Sequence, residues 1–446
     1  MRKKITLGAA ITFCIITAAV VFSVTTVFSM QIYNNIVRNV SEREAIYKKL
    51  AEIDHIVRDK YIFDIDETTL LDKICEGYMS GLGNDYSYYM TEEEYNESNL
   101  SYGGQTIGIG IEQIRVDGYI KILEVYKGTP AEAAGLQAND LIIRVDDLDV
   151  TDSTYIEAVS ILGSGEEESM VSITYRRDLE DTSIEITRAR FETPTVKYRV
   201  IVNNDGTSTG LIKITRFNDN TYTQFSEAID ELTMAGVSGL IFDVRDNPGG
   251  TLKPTADMLD MLLPVGPIIL ATDSDENTEV LYQSGESEIN LPMVIIANSE
   301  TASAAELFTI ALLDYDKAVL VGGQTHGKWT MQTIRKLNDG SAIRLTTHTY
   351  KSAKTLTVDG EGIIPSVEVI SEPDEEQSRH QTAFAGLNEY NDRQLRVAME
   401  TLETIKTNQG YPLPEDTSSD PGDLLTDPDG GAETGSEDSQ PADVSN

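Results

Sequence analysis

The chain has 446 residues, and 74 acidic against 35 basic side chains give a formal charge of −39. That balance excludes nucleic-acid binding, which needs a basic face. Two cysteines, Cys14 and Cys75, and four scattered histidines make no disulfide framework and offer no metal-ligand spacing, so neither metal nor cofactor is expected.

The chain opens with a basic stub, residues 1–4, followed by an uncharged run, 5–30. At about 1.5 Å per residue, a helix over 5–30 is long enough to span a bilayer. The basic start predicts a cytoplasmic N-terminus, a single-pass anchor in the cell membrane and an extracytoplasmic body. A cleaved signal peptide is the rival, but the run is long for one and Phe28-Ser29-Met30 is a poor small-residue cleavage site. Residues 31–102 read as an N-terminal helical region. A helix over 32–61 carries the stripe Ile36, Val37, Ile46, Leu50, Ile53 and Val57, and a second helix covers 67–82.

From 103 to 190 the pattern switches to short strands. Gly108-Ile109-Gly110-Ile111 is followed by strands at 119–125 and 140–145 and by a helix at 155–162. A lone Gly-x-Gly is usually just a turn. Here the whole order of elements resembles a PDZ domain. Gly108 and Gly110 then let backbone N–H groups face a peptide carboxylate, and the strand from Ile111 pairs with the peptide. Ile109, Ile111, Val159 and Leu162 line an apolar pocket in that reading.

Residues 191–372 alternate strands and helices. Strands are expected at 210–214, 239–244, 293–297 and 318–322, and helices at 221–235 and 304–313. The strand at 239–244 runs into Arg245-Asp246-Asn247-Pro248-Gly249-Gly250, where Asp243 and Arg245 are suited to a structural ion pair. A segment 373–410 holds a last amphipathic helix, 392–405, with Leu395, Ala398, Met399 and Leu402 on one face. Residues 411–446 hold ten acidic residues and no basic one, and this composition predicts a disordered acidic tail.

Ser303 falls at the turn from the strand 293–297 into the helix 304–313, where a hydroxyl faces a cleft with the positive helix end behind it. Lys328 follows the strand 318–322. A serine at a helix start is most often an N-cap, and a single lysine is most often a solvated charge. The two together are more informative, because a lysine buried in apolar surroundings loses its proton readily and can take the serine's.

The run Thr301-Ala302-Ser303-Ala304-Ala305-Glu306, the Gly327-Lys328 pair and Gln332 resemble the C-terminal processing (tail-specific) peptidases, a serine–lysine protease family. The interval from Ser303 to Lys328 is that of the family, and the resemblance extends from about Ile53 to about Leu402. It implies a crotonase-like α/β protease core with an inserted PDZ domain, an N-terminal helical region and one transmembrane helix. It implies Ser303 as nucleophile, Lys328 as general base and Gln332 as the residue that orients the lysine. The Pro248-Gly249-Gly250 loop implies an oxyanion site made by Gly249 or Gly250 with Ala304. It also implies protein or peptide substrates with apolar C-termini, captured at Gly108 to Ile111, and a homodimer paired through the terminal helices. Those helices could instead pack on their own protease core.

Three positions depart from the family pattern. Ala305 replaces the last serine of the run, His326 stands where phenylalanine is frequent, and Trp329 replaces the glycine after the lysine. An indole beside the base either narrows a leaving-group pocket or shields Lys328. Trp329 is the sole support for a rival, a catalytically weak PDZ-containing binding protein. A second rival is a Ser-His-Asp hydrolase using His326.

Overall fold

The computed structural model describes residues 7–203, 205–354 and 360–408. The predicted stub at 1–4 and acidic tail at 411–446 lie outside them. The chain divides into two units, Met1–Tyr78 and Met79–Asn446.

The first unit holds helix α1, Leu7–Lys60, and most of α2, Glu67–Ser80. Arg58 near the end of α1 donates to Asp54 one turn back and to Glu67 at the start of α2. Among the described residues no helix is long and apolar enough to cross a membrane. The transmembrane helix expected at 5–30 is therefore not borne out. The helix there runs on unbroken into the charged stretch that follows, and its first two expected residues lie outside those described. Ile16, Val20, Val21, Phe22, Ile46, Leu50 and Ile53 of α1 are exposed.

In the second unit, β1 (Tyr88–Met90) leads to α3 (Glu92–Tyr102). Thr91 caps α3 reciprocally with Glu94. Strand β2 (Gln105–Gly108) then enters a small antiparallel domain: β3 (Ile111–Val116), β4 (Tyr119–Val125), α4 (Pro130–Ala133), β5 (Leu141–Val145), β6 (Leu148–Asp149), α5 (Tyr155–Gly163), β7 (Met170–Arg177) and β8 (Glu180–Thr187). Its sheet order is β3-β4-β5-β7-β8, with β6 on β5. Alternate residues Ile120, Ile122, Ile142, Val171 and Ile173 pack with Ala158 and Leu162 of α5. The exit strand, β9 (Ala189–Glu192), pairs antiparallel with β2. Entry and exit thus lie side by side, as an inserted domain requires.

The core follows with β10 (Val196–Val202), β11 (Ser208–Ile214), α6 (Thr221–Met234), β12 (Leu240–Asp243), α7 (Leu252–Leu262), β13 (Gly266–Thr272), β14 (Thr278–Ser284), β15 (Met293–Ala297), α8 (Ala304–Asp314), β16 (Ala318–Gly322), β17 (Thr330–Lys336), β18 (Ala342–Ser352) and β19 (Val367–Glu368). The main sheet is ordered β10-β11-β12-β15-β16-β19, parallel from β11 onward. Its central strands are near-continuous apolar runs because both faces are covered. Ile212, Phe242, Ile295 and Leu320 face α6, α7 and α8. Leu211, Ile241, Val294 and Val319 face the last helix, α10 (Arg393–Asn408), which follows a short α9 (Pro373–His380). Strands β1, β13 and β17 pair with β18, and β14 with β13, in a second sheet. The apolar stripe of α10, expected to help pair two copies, is instead spent on its own core: Leu395, Ala398 and Leu402 are buried against the parallel strands.

Candidate active site

The loops at the carboxyl ends of β12, β15 and β16 converge, the usual position for a site on a parallel sheet. Ser303 is the cap residue immediately before α8, with φ 56° and ψ −120°, a backbone conformation that costs a non-glycine residue about 1–3 kcal/mol. Three neighbours enforce it. The Ala302 N–H donates to the Asn247 carbonyl, the Thr301 hydroxyl donates to the Val244 carbonyl, and the Ser303 N–H donates to Glu306 Oε2 at 2.8 Å.

Glu306 is fully buried and organises both loops. Its Oε2 accepts from the Ser303 and Lys328 N–H groups at 2.8 and 2.9 Å. Its Oε1 accepts from the Gly327 N–H and the Thr325 hydroxyl, each at 2.6 Å. One carboxylate therefore ties the backbone of the nucleophile candidate to that of the base candidate.

Lys328 is half-buried, with its ammonium 4.0 Å from the centre of the Tyr86 ring. Burial, helped by the charge of Arg344 and opposed by Glu306, brings its pKa down to about 8. Gln332 does not reach it in this arrangement. Its amide nitrogen donates to Thr330 and Thr346, and its oxygen accepts from Arg344 at 3.3 Å.

Gly249 lies against the Ser303 turn. A Cβ there would stand 2.7 Å from the Ala302 carbonyl and 2.8 Å from the Ala304 nitrogen, so only glycine permits the approach. The Gly249 N–H is engaged by Asn247 Oδ1 at 2.8 Å. At Gly250 a Cβ would strike the Phe217 carbonyl oxygen at 1.7 Å. Ala304 is the first residue of α8, and its N–H has no acceptor within the helix. Ser303 and Gly250 open on a cavity of about 510 Å³, with Leu252, Tyr282, Met331 and Gln332 in its wall.

Tyr350 and Glu306, like Tyr86 and Arg344, are site residues to which the sequence reading gave no role. The Tyr350 hydroxyl donates to the Lys328 carbonyl at 2.9 Å and meets the Ser303 side chain. Burial pushes its pKa well up, so it stays protonated. The run Thr346-Thr347-His348-Thr349-Tyr350 carries no signal for this. Glu306 at the end of the serine motif was legible as a motif letter only. Trp329 is buried and packs on Tyr350, ring centres 5.4 Å apart. It supports Tyr350 from behind and takes no part in lining the cavity. His326 is exposed, and among the described residues no carboxylate pairs with it.

Gly108, Ile109, Gly110 and Ile111 lie together in a separate groove of about 390 Å³, with Leu162 and Phe191. Gly110 has φ 87°, and a Cβ there would meet Thr129 at 2.3 Å. The Gly110 carbonyl accepts from the Tyr126 N–H and the Ile109 carbonyl from the Ala131 N–H, which fixes the turn. Among the described residues no group of three or more His, Cys, Asp or Glu stands close enough to hold a metal.

The family model for peptidase family S41 matches residues 208–369, and that for the PDZ domain matches residues 107–187. The carboxy-terminal processing protease CtpA of Bacillus subtilis (strain 168) is 31% identical over 328 residues, 73% of this chain and 68% of the relative. A CtpA-like serine protease of Staphylococcus epidermidis is 28% identical over 84% of this chain and 75% of its own. A solved S41 protease from Bacteroides fragilis shares the fold, with a TM-score of 0.53 and 19% identity over 74% of this chain and 90% of that chain. The strained serine turn, the PDZ insertion and these matches agree: the chain belongs to the C-terminal processing proteases of peptidase family S41 and is a serine-type peptidase with a PDZ domain.

Proposed function

We propose that Ser303 is the nucleophile and Lys328 the general base of a peptide-bond hydrolysis directed at proteins with apolar C-terminal tails. The observation that carries this reading is the shared Glu306 carboxylate, which ties both residues' backbones together beside an amine whose pKa has fallen to about 8. Near neutral pH a useful fraction of such an amine is free base. Lys328 leaves the Tyr86 ring, takes the Ser303 proton as the serine attacks, and returns it to the leaving amine; water then resolves the acyl-enzyme. Gln332 orients the lysine once it has moved. The Gly250 and Ala304 N–H groups, with Gly249 if Asn247 releases it, face the developing oxyanion. Fixed donors of this kind are worth about 3–4 kcal/mol each.

The tail is held in the groove at Gly108 to Ile111 by strand addition from β3, with its apolar residues toward Ile109 and Leu162. The crotonase-like reading of the core is supported by the parallel β11–β16 strands with helices between them. Attachment to the membrane by 5–30, with the body outside, is supported by the basic start, the uncharged run and the exposed apolar side chains of α1. A homodimer is supported by the exposed Ile46, Leu50 and Ile53 of α1. The rival, a binding protein that cuts little, loses its support with Trp329 buried behind Tyr350.

The test is turnover of a protein substrate with an apolar tail. Ser303→Ala and Lys328→Arg should each abolish cleavage while circular dichroism and peptide binding stay unchanged, because a guanidinium does not deprotonate near neutral pH. Near-normal turnover in either variant overturns the assignment of that residue.

A further inference from the structure

The groove at Gly108 to Ile111 is not made by the PDZ domain alone. Its wall includes Thr193, Thr195, Thr215, Arg216 and Asn218 from the protease core. Arg216 sits between β11 and α6 and is the one charged side chain among the described residues that line this groove. It is exposed, and among the described residues it makes no ion pair; its guanidinium has only a long contact with the Ser101 hydroxyl, 3.4 Å. The remaining polar wall is neutral. On a chain of charge −39, an unpaired cation in a groove of glycine turns, threonines and apolar side chains is a strong local departure.

We propose that Arg216 is a specificity residue of this groove, pairing with a carboxylate of the bound peptide. The proposal rests on the reading of the groove as the tail-binding site. The physical need comes from net charge. A carboxylate approaching so acidic a protein is repelled at long range, and a local guanidinium reverses the sign of the potential where the peptide lies. Arginine suits the task because its planar fork donates two parallel hydrogen bonds to one carboxylate. The glycine turn of the PDZ domain supplies backbone N–H groups, and the core supplies the full charge, so the site is complete only with the core present. The carboxylate has two sources: the peptide's C-terminal group, or an acidic side chain near its end.

Calorimetry on the full chain carrying Ser303→Ala, with and without Arg216→Gln, decides this. Three short peptides with the same apolar end serve as probes: one with a free terminal carboxylate and no acidic side chain, its C-terminal amide, and the amide carrying one glutamate near the end. Arg216→Gln should weaken at least one carboxylate-bearing peptide about tenfold, as loss of a charge-assisted pair predicts. Arg216→Lys should recover part of that loss, and the neutral amide should bind all three proteins alike. A loss confined to the first peptide identifies the terminal carboxylate as the partner; a loss confined to the third identifies the side chain. If every peptide binds equally well with and without Arg216→Gln, the proposal is overturned. An equal loss for the neutral amide also overturns it, since Arg216 would then only pack. If no peptide binds the protein that retains Arg216, the tail-binding reading itself fails and takes this proposal with it.

Discussion

Two neighbouring loops at the carboxyl ends of the parallel strands are each built around a buried carboxylate, and they differ in what satisfies it. After β12, Asp243 pairs with the buried Arg245, which also bonds Asp392 and Gln394 at the start of α10. After β15, Glu306 accepts only from neutral donors: three backbone N–H groups and one hydroxyl. Burial alone would raise the Asp243 pKa; the charge of Arg245 more than offsets it, and the carboxyl ends far below its usual range. A carboxylate matched to a cation fixes structure and has little field left to act elsewhere. One held by neutral donors keeps its field, and the Lys328 amine feels it.

Removing Arg245 should have the largest effect on the first loop. Arg245→Ala leaves Asp392 buried without a cation and Asp243 with only the longer Lys213 contact at 3.8 Å, which costs roughly 3–5 kcal/mol. Chemical denaturation should show that loss as a lowered midpoint. The activity that survives below the midpoint should keep its pH dependence, since Arg245 does not act on Lys328. A shift of the pH profile with no change in denaturation would erase the distinction between the two loops.

Glu306→Gln probes the second loop. The amide NH2 now faces two or more N–H or O–H donors, so the Ser303 and Lys328 backbones separate slightly. A displacement on the order of 1 Å costs about 10²-fold in rate. Glu306 also raises the Lys328 pKa against burial. Its neutralisation should lower that pKa, so the residual activity should rise with pH at a midpoint below about 8. A pH–rate profile of kcat/KM checks this. A fall in rate with an unmoved midpoint would make Glu306 a purely structural clamp, no different in kind from Asp243.

These loops also show how much of the molecule is written in its sequence. The parallel strands β15 and β16 were readable to the residue because burial on both faces leaves uninterrupted apolar runs, Met293–Ala297 and Ala318–Gly322. Helix α8 was readable for the same reason. The second sheet was not. Strand β18 runs Ala-Ile-Arg-Leu-Thr-Thr-His-Thr-Tyr-Lys-Ser, half-exposed and threonine-rich, and β14 is largely exposed, so neither has a clean alternation. That sheet carries Tyr350 and Arg344, and their part in the surroundings of Lys328 went unread; Gln332, on the same sheet, was named from the family motif alone. Glu306 was visible as a letter of a motif, but its four donors come from two segments separated by a helix and a strand, which no local pattern reports. The indole of Trp329, which as a sequence threatened the base, is accommodated because Tyr350 offers it a ring to pack on.

The smallest expected effect comes from Arg344, and it sharpens what sets the base. Arg344 lies on β18, donates to Gln332 Oε1 at 3.3 Å and to the Tyr88 hydroxyl at 3.1 Å, and its charge helps burial to lower the Lys328 pKa. Arg344→Gln removes that repulsion and frees the Gln332 oxygen to accept from the ammonium; both changes favour the charged lysine. Catalysis needs the neutral form, so activity in this variant should rise with pH at a midpoint above about 8. Near pH 7 the rate should fall about twofold to fivefold, and well above the midpoint the variant and the parent should converge. Arg344 is only partly buried, so the difference should shrink as salt screens its charge. Arg344→Lys keeps the charge and should keep the midpoint. If Arg344→Gln leaves the profile where it was, burial and Glu306 alone set the base, and Arg344 belongs with Arg245 as a residue that holds the fold.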